Sequence, residues 1–136
     1  MTAEEKYEHW KAYAERDLDG AEAMLNSGRW FFVVFCCQQA VEKLVKGLYV
    51  MYIDDNVPRV HNITKLMERF EDKLPMTTPD KYNKLFKLLT GYYVSDRYPD
   101  YISKIGEQIN KEEATKVFNE SKEAFAWLLT LKPQEE

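Results

Sequence analysis

Histidine, cysteine, glycine and proline are all scarce in this chain of 136 residues, at two, two, five and five. No Cys-x-x-Cys, His-Glu-x-x-His, phosphate-cradling glycine loop or nucleophile elbow occurs. The commonest zinc, metalloprotease, P-loop and serine-hydrolase chemistries are therefore unsupported. With only His9 and His61 available, a histidine-based metal site would need many carboxylates, so no metal or other cofactor is expected. Cys36 and Cys37 are sequence neighbours, which disulfide geometry does not readily join. They sit in an apolar run and read as buried free thiols, in keeping with a reducing cytoplasm. That run, Trp30 to Cys37, is the longest in the chain and far too short to span a bilayer. The first residues are charged and lack the apolar core of a signal peptide, so a cytoplasmic location without membrane insertion is expected. A large excess of one charge is also missing, the formal net charge being −4. Such a chain has no general attraction for nucleic acid or anionic membrane, and a phosphate-bearing ligand would need a local basic site.

What is present is globular in character: 45% hydrophobic residues, 14% aromatic and 31% charged. The length suits one domain over 1–136. Five segments carry helical periodicity. Trp10, Ala14, Leu18, Ala21 and Leu25 share one face of the first, which Asn26-Ser27-Gly28 ends. The second runs from about Arg29 to Ile53. Its aromatic start has strand propensity, but the good helix formers from Gln38 onward decide for helix. A start so apolar on every side is expected in the middle of the bundle. After the loop Asp54 to Pro58, Ile63, Leu66, Met67 and Phe70 mark a short third helix opened by His61. Thr78 as N-cap and Pro79 as first helical residue should start the fourth, which buries Tyr82, Leu85, Phe86, Leu89 and Tyr93. An irregular stretch over 95–109 follows. Asn110 and Glu113 then open a fifth helix, with Ala114, Val117, Phe118, Ser121, Phe125, Leu128 and Leu131 inward. Short connections between long amphipathic helices predict an all-α, up-down antiparallel bundle of four main helices plus a short one.

Three places exceed what a bundle needs. Gln39, Glu42, Lys43 and Lys46 occupy a narrow arc of the second helix, opposite Cys37, Val41, Leu44 and Leu48. The arc reads as a solvated face of paired charges, or as a partly buried polar track lining a groove or dimer interface. Arg97, in the loop Arg97-Tyr98-Pro99-Asp100, offers a planar fork of donors suited to carboxylate or phosphate, or a tie between loop and bundle. Asp17 sits in the apolar stripe of the first helix, where a carboxylate is costly unless paired. Lys43, Lys46 and Arg97 are the cations available to it. His61 reads as a cap or packing residue, or as an acid or base.

Together these features resemble the HEPN family of small bundle domains. The residues that carry the resemblance are Ala14-Glu15-Arg16-Asp17-Leu18, Gln39-Ala40-Val41-Glu42-Lys43-Leu44-Val45-Lys46, His61-Asn62-Ile63-Thr64-Lys65-Leu66 and Arg97-Tyr98-Pro99. The resemblance implies a bundle that commonly dimerises and is associated with nucleotide or RNA chemistry. It also implies a neighbouring small nucleotidyltransferase as partner in a toxin–antitoxin-like pair. Many HEPN proteins are metal-independent ribonucleases that use an arginine followed by histidine four to six residues on. Here no histidine follows Arg97 in range, and Arg59 precedes His61 by too little. That ribonuclease site does not carry over.

The leading expectation is a homodimeric binding module for a nucleotidyltransferase partner and for a nucleotide or RNA phosphate. Gln39, Lys43, Lys46 and Arg97 are its expected ligand-binding residues, with Asp17, Glu42 and His61 lining the site. A ribonuclease in which His61 meets Arg97 in space, and a purely structural dimerisation bundle, are the alternatives. All of it depends on the polar track converging with Arg97.

Overall fold

A computed structural model describes residues 1–92 and 108–134. Among these residues the elements are α1 (Ala3–Asn26), α2 (Trp30–Tyr52), α3 (Ile63–Glu68), a 3-10 turn (Glu71–Lys73), α4 (Asp80–Gly91) and α5 (Lys111–Leu129), with no strand. Arg97, Tyr98, Pro99, Tyr93 and nearly all of the stretch expected over 95–109 lie outside the described residues.

The start of α1 lies well before the Trp10 stripe. Thr2 Oγ1 accepts from the Glu5 backbone N–H at 3.1 Å, and Glu5 Oε1 accepts from the Thr2 N–H at 3.1 Å, a reciprocal cap. This added turn brings in Tyr7, which is fully buried beside Ala14 and Ala21. Gly28 ends the helix as expected, with φ of 75°, a conformation that costs glycine no steric clash.

Direction is readable from side-chain neighbours. Gly20 lies against Cys36 and Gly47 against Trp10 and Tyr7, so α1 and α2 are antiparallel. A Cβ on Gly47 would stand 3.0 Å from Trp10 Cβ, so the missing side chain is what lets these helices meet there. Lys81 and Tyr82 at the start of α4 reach Glu123 and Trp127 late in α5, which makes that pair antiparallel too. Lys132, just past α5, bonds Glu4 at 2.6 Å and closes the chain's end onto the start of α1. The bundle is thus up-down, with α2 touching each of the other described α-helices and carrying the largest share of the described core.

Val33, Val34, Cys37, Val41, Leu44 and Leu48 of α2 are buried with Ala114, Val117, Phe118, Ser121, Phe125, Leu128 and Leu131 from the last segment. Burying each large aliphatic side chain contributes about 1.5–3 kcal/mol. Two local expectations need correction. The apolar start of α2 is not central on all sides: Phe32 is 51% exposed and Phe31 and Phe35 are half-buried, the Phe31 ring packing against each of the other two. Turning 100° per residue, the helix can aim only part of a continuous apolar run inward. At α4, Pro79 is the N-cap rather than the first helical residue. Its carbonyl accepts from the Tyr82 and Asn83 N–H groups, and Thr78 Oγ1 is buried with no partner among the described residues. Asn110 caps α5 as expected, accepting from the Glu113 N–H at 2.8 Å.

Candidate functional site

The polar arc of α2 faces the seam with α1 and the segment before α3, and much of it is buried. Glu42 is 3% exposed and Lys46 8%, with Gln39 and Lys43 half-buried, so the arc is a partly buried track and not a solvated face. Glu42 is its hub. Its Oε1 accepts from Gln38 Nε2 at 2.7 Å and its Oε2 from Lys46 Nζ at 3.0 Å. His61 Nδ1 lies 3.1 and 3.2 Å from the two oxygens. Gln39 Nε2 donates to Gln38 Oε1 at 2.6 Å and extends the chain of bonds one residue further. A buried carboxylate is tolerable here because three donors surround it.

Lys43 and Asp17 form a second pair at 2.6 Å, each about a quarter exposed. The cost of a carboxylate in the stripe of α1 is thereby met by one of the cations expected for it. Beside this pair, burial raises the Cys36 thiol above its ordinary value, with the Asp17 charge adding and Lys43 opposing. Burial also pushes Cys37 up to about 12, so both thiols are held protonated at neutral pH.

His61 precedes α3 and does not open it. Asn62 is the cap, its side chain accepting from the Lys65 N–H at 3.1 Å. Thr90 Oγ1 in α4 accepts from the Ile63 N–H at 3.2 Å, pinning the start of α3 and with it the position of His61. The imidazole, with a side chain 44% exposed, lies where the track opens to solvent.

At that opening is a cleft of about 690 Å³ whose walls include Lys6, His9, Trp10, Lys46, Arg59 and His61. Lys46 Nζ sits 5.9 Å from the Trp10 ring centre, over its face. Asp55, also in the wall, is ion-paired with Lys6. The structure therefore brings Gln39, Glu42, Lys46 and His61 into one bonded array and Lys43 and Asp17 into a neighbouring pair. Arg97 lies outside the described residues. Sequence reasoning missed Gln38, although its spacing of four from Glu42 was available. It also missed His9, Trp10, Lys6 and Arg59 as cleft residues, since nothing local to α1 or to the loop before α3 says that they meet. Among the described residues, no three His, Cys, Asp or Glu side chains are grouped to hold a metal ion. No helix among them is long and apolar enough to cross a membrane.

An all-helical up-down bundle with a buried polar seam on its central helix defines the class of protein. Residues 7–132 match the HEPN domain family, and the chain belongs to it. Two solved structures share the fold. The protein TT1696 from Thermus thermophilus is 23% identical, with a TM-score of 0.78 over 92% of this chain and 97% of that one. ST0689, described as an archaeal HEPN homologue, is 26% identical, with a TM-score of 0.73 over 93% and 98%. No curated protein matches the chain.

Proposed function

We propose that this chain is a phosphate-recognising HEPN module that partners a nucleotidyltransferase in a toxin–antitoxin-like pair in the cytoplasm. In this reading the cleft at Lys46 receives a phosphate of a nucleotide or of RNA. The observation that carries it is the meeting of Lys46, Arg59, His9 and His61 around one cleft beside Trp10, in a chain of net charge −4. A local cationic site of this kind is what an acidic protein needs to hold a phosphate. Arg59 supplies a planar donor fork and Lys46 a point charge, while Trp10 offers a face for a base. Glu42, Gln38 and Gln39 orient Lys46 and His61, and Lys43 with Asp17 braces the seam. Arg97 remains a proposed further donor.

Fluorescence anisotropy with a labelled, 5′-phosphorylated RNA oligonucleotide tests this. Lys46→Met combined with Arg59→Gln should weaken binding at least about tenfold, the cost of one or two charge-assisted hydrogen bonds, with the helical signal unchanged. Unaltered affinity in a folded double variant removes the proposal. Co-purification with a nucleotidyltransferase encoded beside this chain tests the partner.

Two observations favour second readings. An imidazole set against a buried carboxylate is an arrangement that can move protons, which supports the metal-independent ribonuclease alternative at His61. RNA cleavage in chelator that disappears in His61→Ala would support it, and absence of cleavage would end it. The exposed Phe32, with Phe31 and Phe35 beside it, supports a homodimer closed over the start of α2. Phe32→Ser should then raise the monomer fraction in sedimentation, and a wild-type monomer at all concentrations contradicts the dimer.

A further inference from the structure

Both histidines of the chain face the same cleft, although they are far apart in sequence and come from different elements. His9 projects from α1, where it also borders Glu4, Glu5 and Glu8 on the outer side. Lys6 and Lys46 share the cleft with it from α1 and α2, and Asp55 and Arg59 from the loop. His61 faces Glu42 and Lys46 of α2, with Arg59 from its own segment.

Counting side chains among the described residues, and with both imidazoles neutral, the cleft walls hold three fixed cations, Lys6, Lys46 and Arg59, against Asp55 in the wall and Glu42 paired with Lys46 behind it. With both protonated, five cations face the same two. Protonation of His61 does more than add charge. Its Nδ1 is within bonding distance of both oxygens of Glu42, one of which holds Lys46. An imidazolium there would compete with Lys46 for that carboxylate, leaving the Lys46 ammonium at the edge of the cleft less neutralised toward an incoming anion.

We propose that the cleft is a site for a tetrahedral dianion, taken up together with protons on His9 and His61. This rests on the phosphate-binding reading above and adds its proton linkage. Binding and protonation are reciprocal: if protons strengthen anion binding, the anion must raise the affinity of the imidazoles for protons by the same factor.

Sodium sulfate is the probe, because it stays dianionic through the range in which histidine titrates and leaves any pH dependence to the protein. NMR titrations matched with sodium chloride should show sulfate binding at least about tenfold tighter near about pH 5.5 than near about pH 7.5. Saturating sulfate should move the titration midpoints of both imidazoles upward. His9→Gln and His61→Gln should each remove part of the pH dependence, and the double variant should bind sulfate with one affinity throughout. Equal affinity at the two pH values in the wild type overturns the proton linkage and leaves the phosphate site standing. Absence of sulfate-induced shifts at Trp10 and Lys46 at either pH overturns both.

Discussion

Replacing Glu42 by Ala removes one carboxylate from three donors at once. Gln38, fully buried, loses the acceptor it meets at 2.7 Å. A buried donor left unpaired costs about 1–3 kcal/mol. Lys46 loses its partner at 3.0 Å, and breaking a fully buried ion pair costs about 3–5 kcal/mol. The Lys46 side chain is 10% exposed at the cleft edge and can turn outward, which reduces its share to about 1–2 kcal/mol. His61, 44% exposed, adds little. The expected loss is about 2–5 kcal/mol, or a fall of roughly 7–17 °C in Tm for a domain of this size. Glu42→Gln keeps the volume and an oxygen for Gln38, and should cost about half as much. Urea unfolding followed by circular dichroism measures both. Lys46→Met should be milder than Glu42→Ala, since Gln38 and His61 still surround the carboxylate. If Glu42→Ala costs under about 1 kcal/mol, the hub is not buried and bonded as described.

Gly47→Ala should destabilise by about 1–2 kcal/mol despite the better helix propensity of alanine, because Trp10 Cβ at 3.0 Å cannot swing away. Differential scanning calorimetry showing a gain would contradict that packing. Cys37 and Tyr7 are both pushed up to about 12 by burial, from ordinary values of 9.0 and 10.0. The unfolded chain therefore releases these protons first, so stability is full below about pH 9 and falls as pH rises toward 12, by up to about 1.4 kcal/mol per pH unit for each group. Urea midpoints across that range measure the slope, and a flat profile contradicts the burial. Iodoacetamide at mildly alkaline pH should label Cys36 slowly and Cys37 only in denaturant, as mass spectrometry of digests would report. Asp17→Asn should cost only about 1 kcal/mol in urea unfolding, because its pair with Lys43 is about a quarter exposed; a loss of several kcal/mol would mean a fully desolvated pair.

Helical periodicity made most of the fold legible. The positions that the α5 pattern marks are buried, with Ala124 added to them, and Gly28 stops α1 where its sequence position suggests. The aromatic start of α2 misled for a physical reason: a run with no polar residue carries no phase, so hydrophobicity alone cannot say that Val33 and Val34 go in while Phe32 stays out. Thr78 and Pro79 misled because a cap depends on backbone angles that residue identity does not fix. At the site, the spacing of Gln39, Glu42, Lys43 and Lys46 revealed the track, since helical neighbours are set by sequence distance. Asp17 in an apolar stripe likewise announced a partner. The cleft was not legible. Its walls join α1, α2 and the segment before α3, and which cations meet there follows from the antiparallel register of α1 on α2 and from the anchoring of His61 through Thr90.

The most direct test of the account is a chemical-shift map of the isotopically labelled protein titrated with inorganic pyrophosphate. Saturable shifts confined to the Trp10 indole, Lys46, Arg59 and their neighbours in the cleft are expected, and should be lost in Lys46→Met with Arg59→Gln. Shifts centred instead on α4 or the start of α5, or none at all, would contradict it.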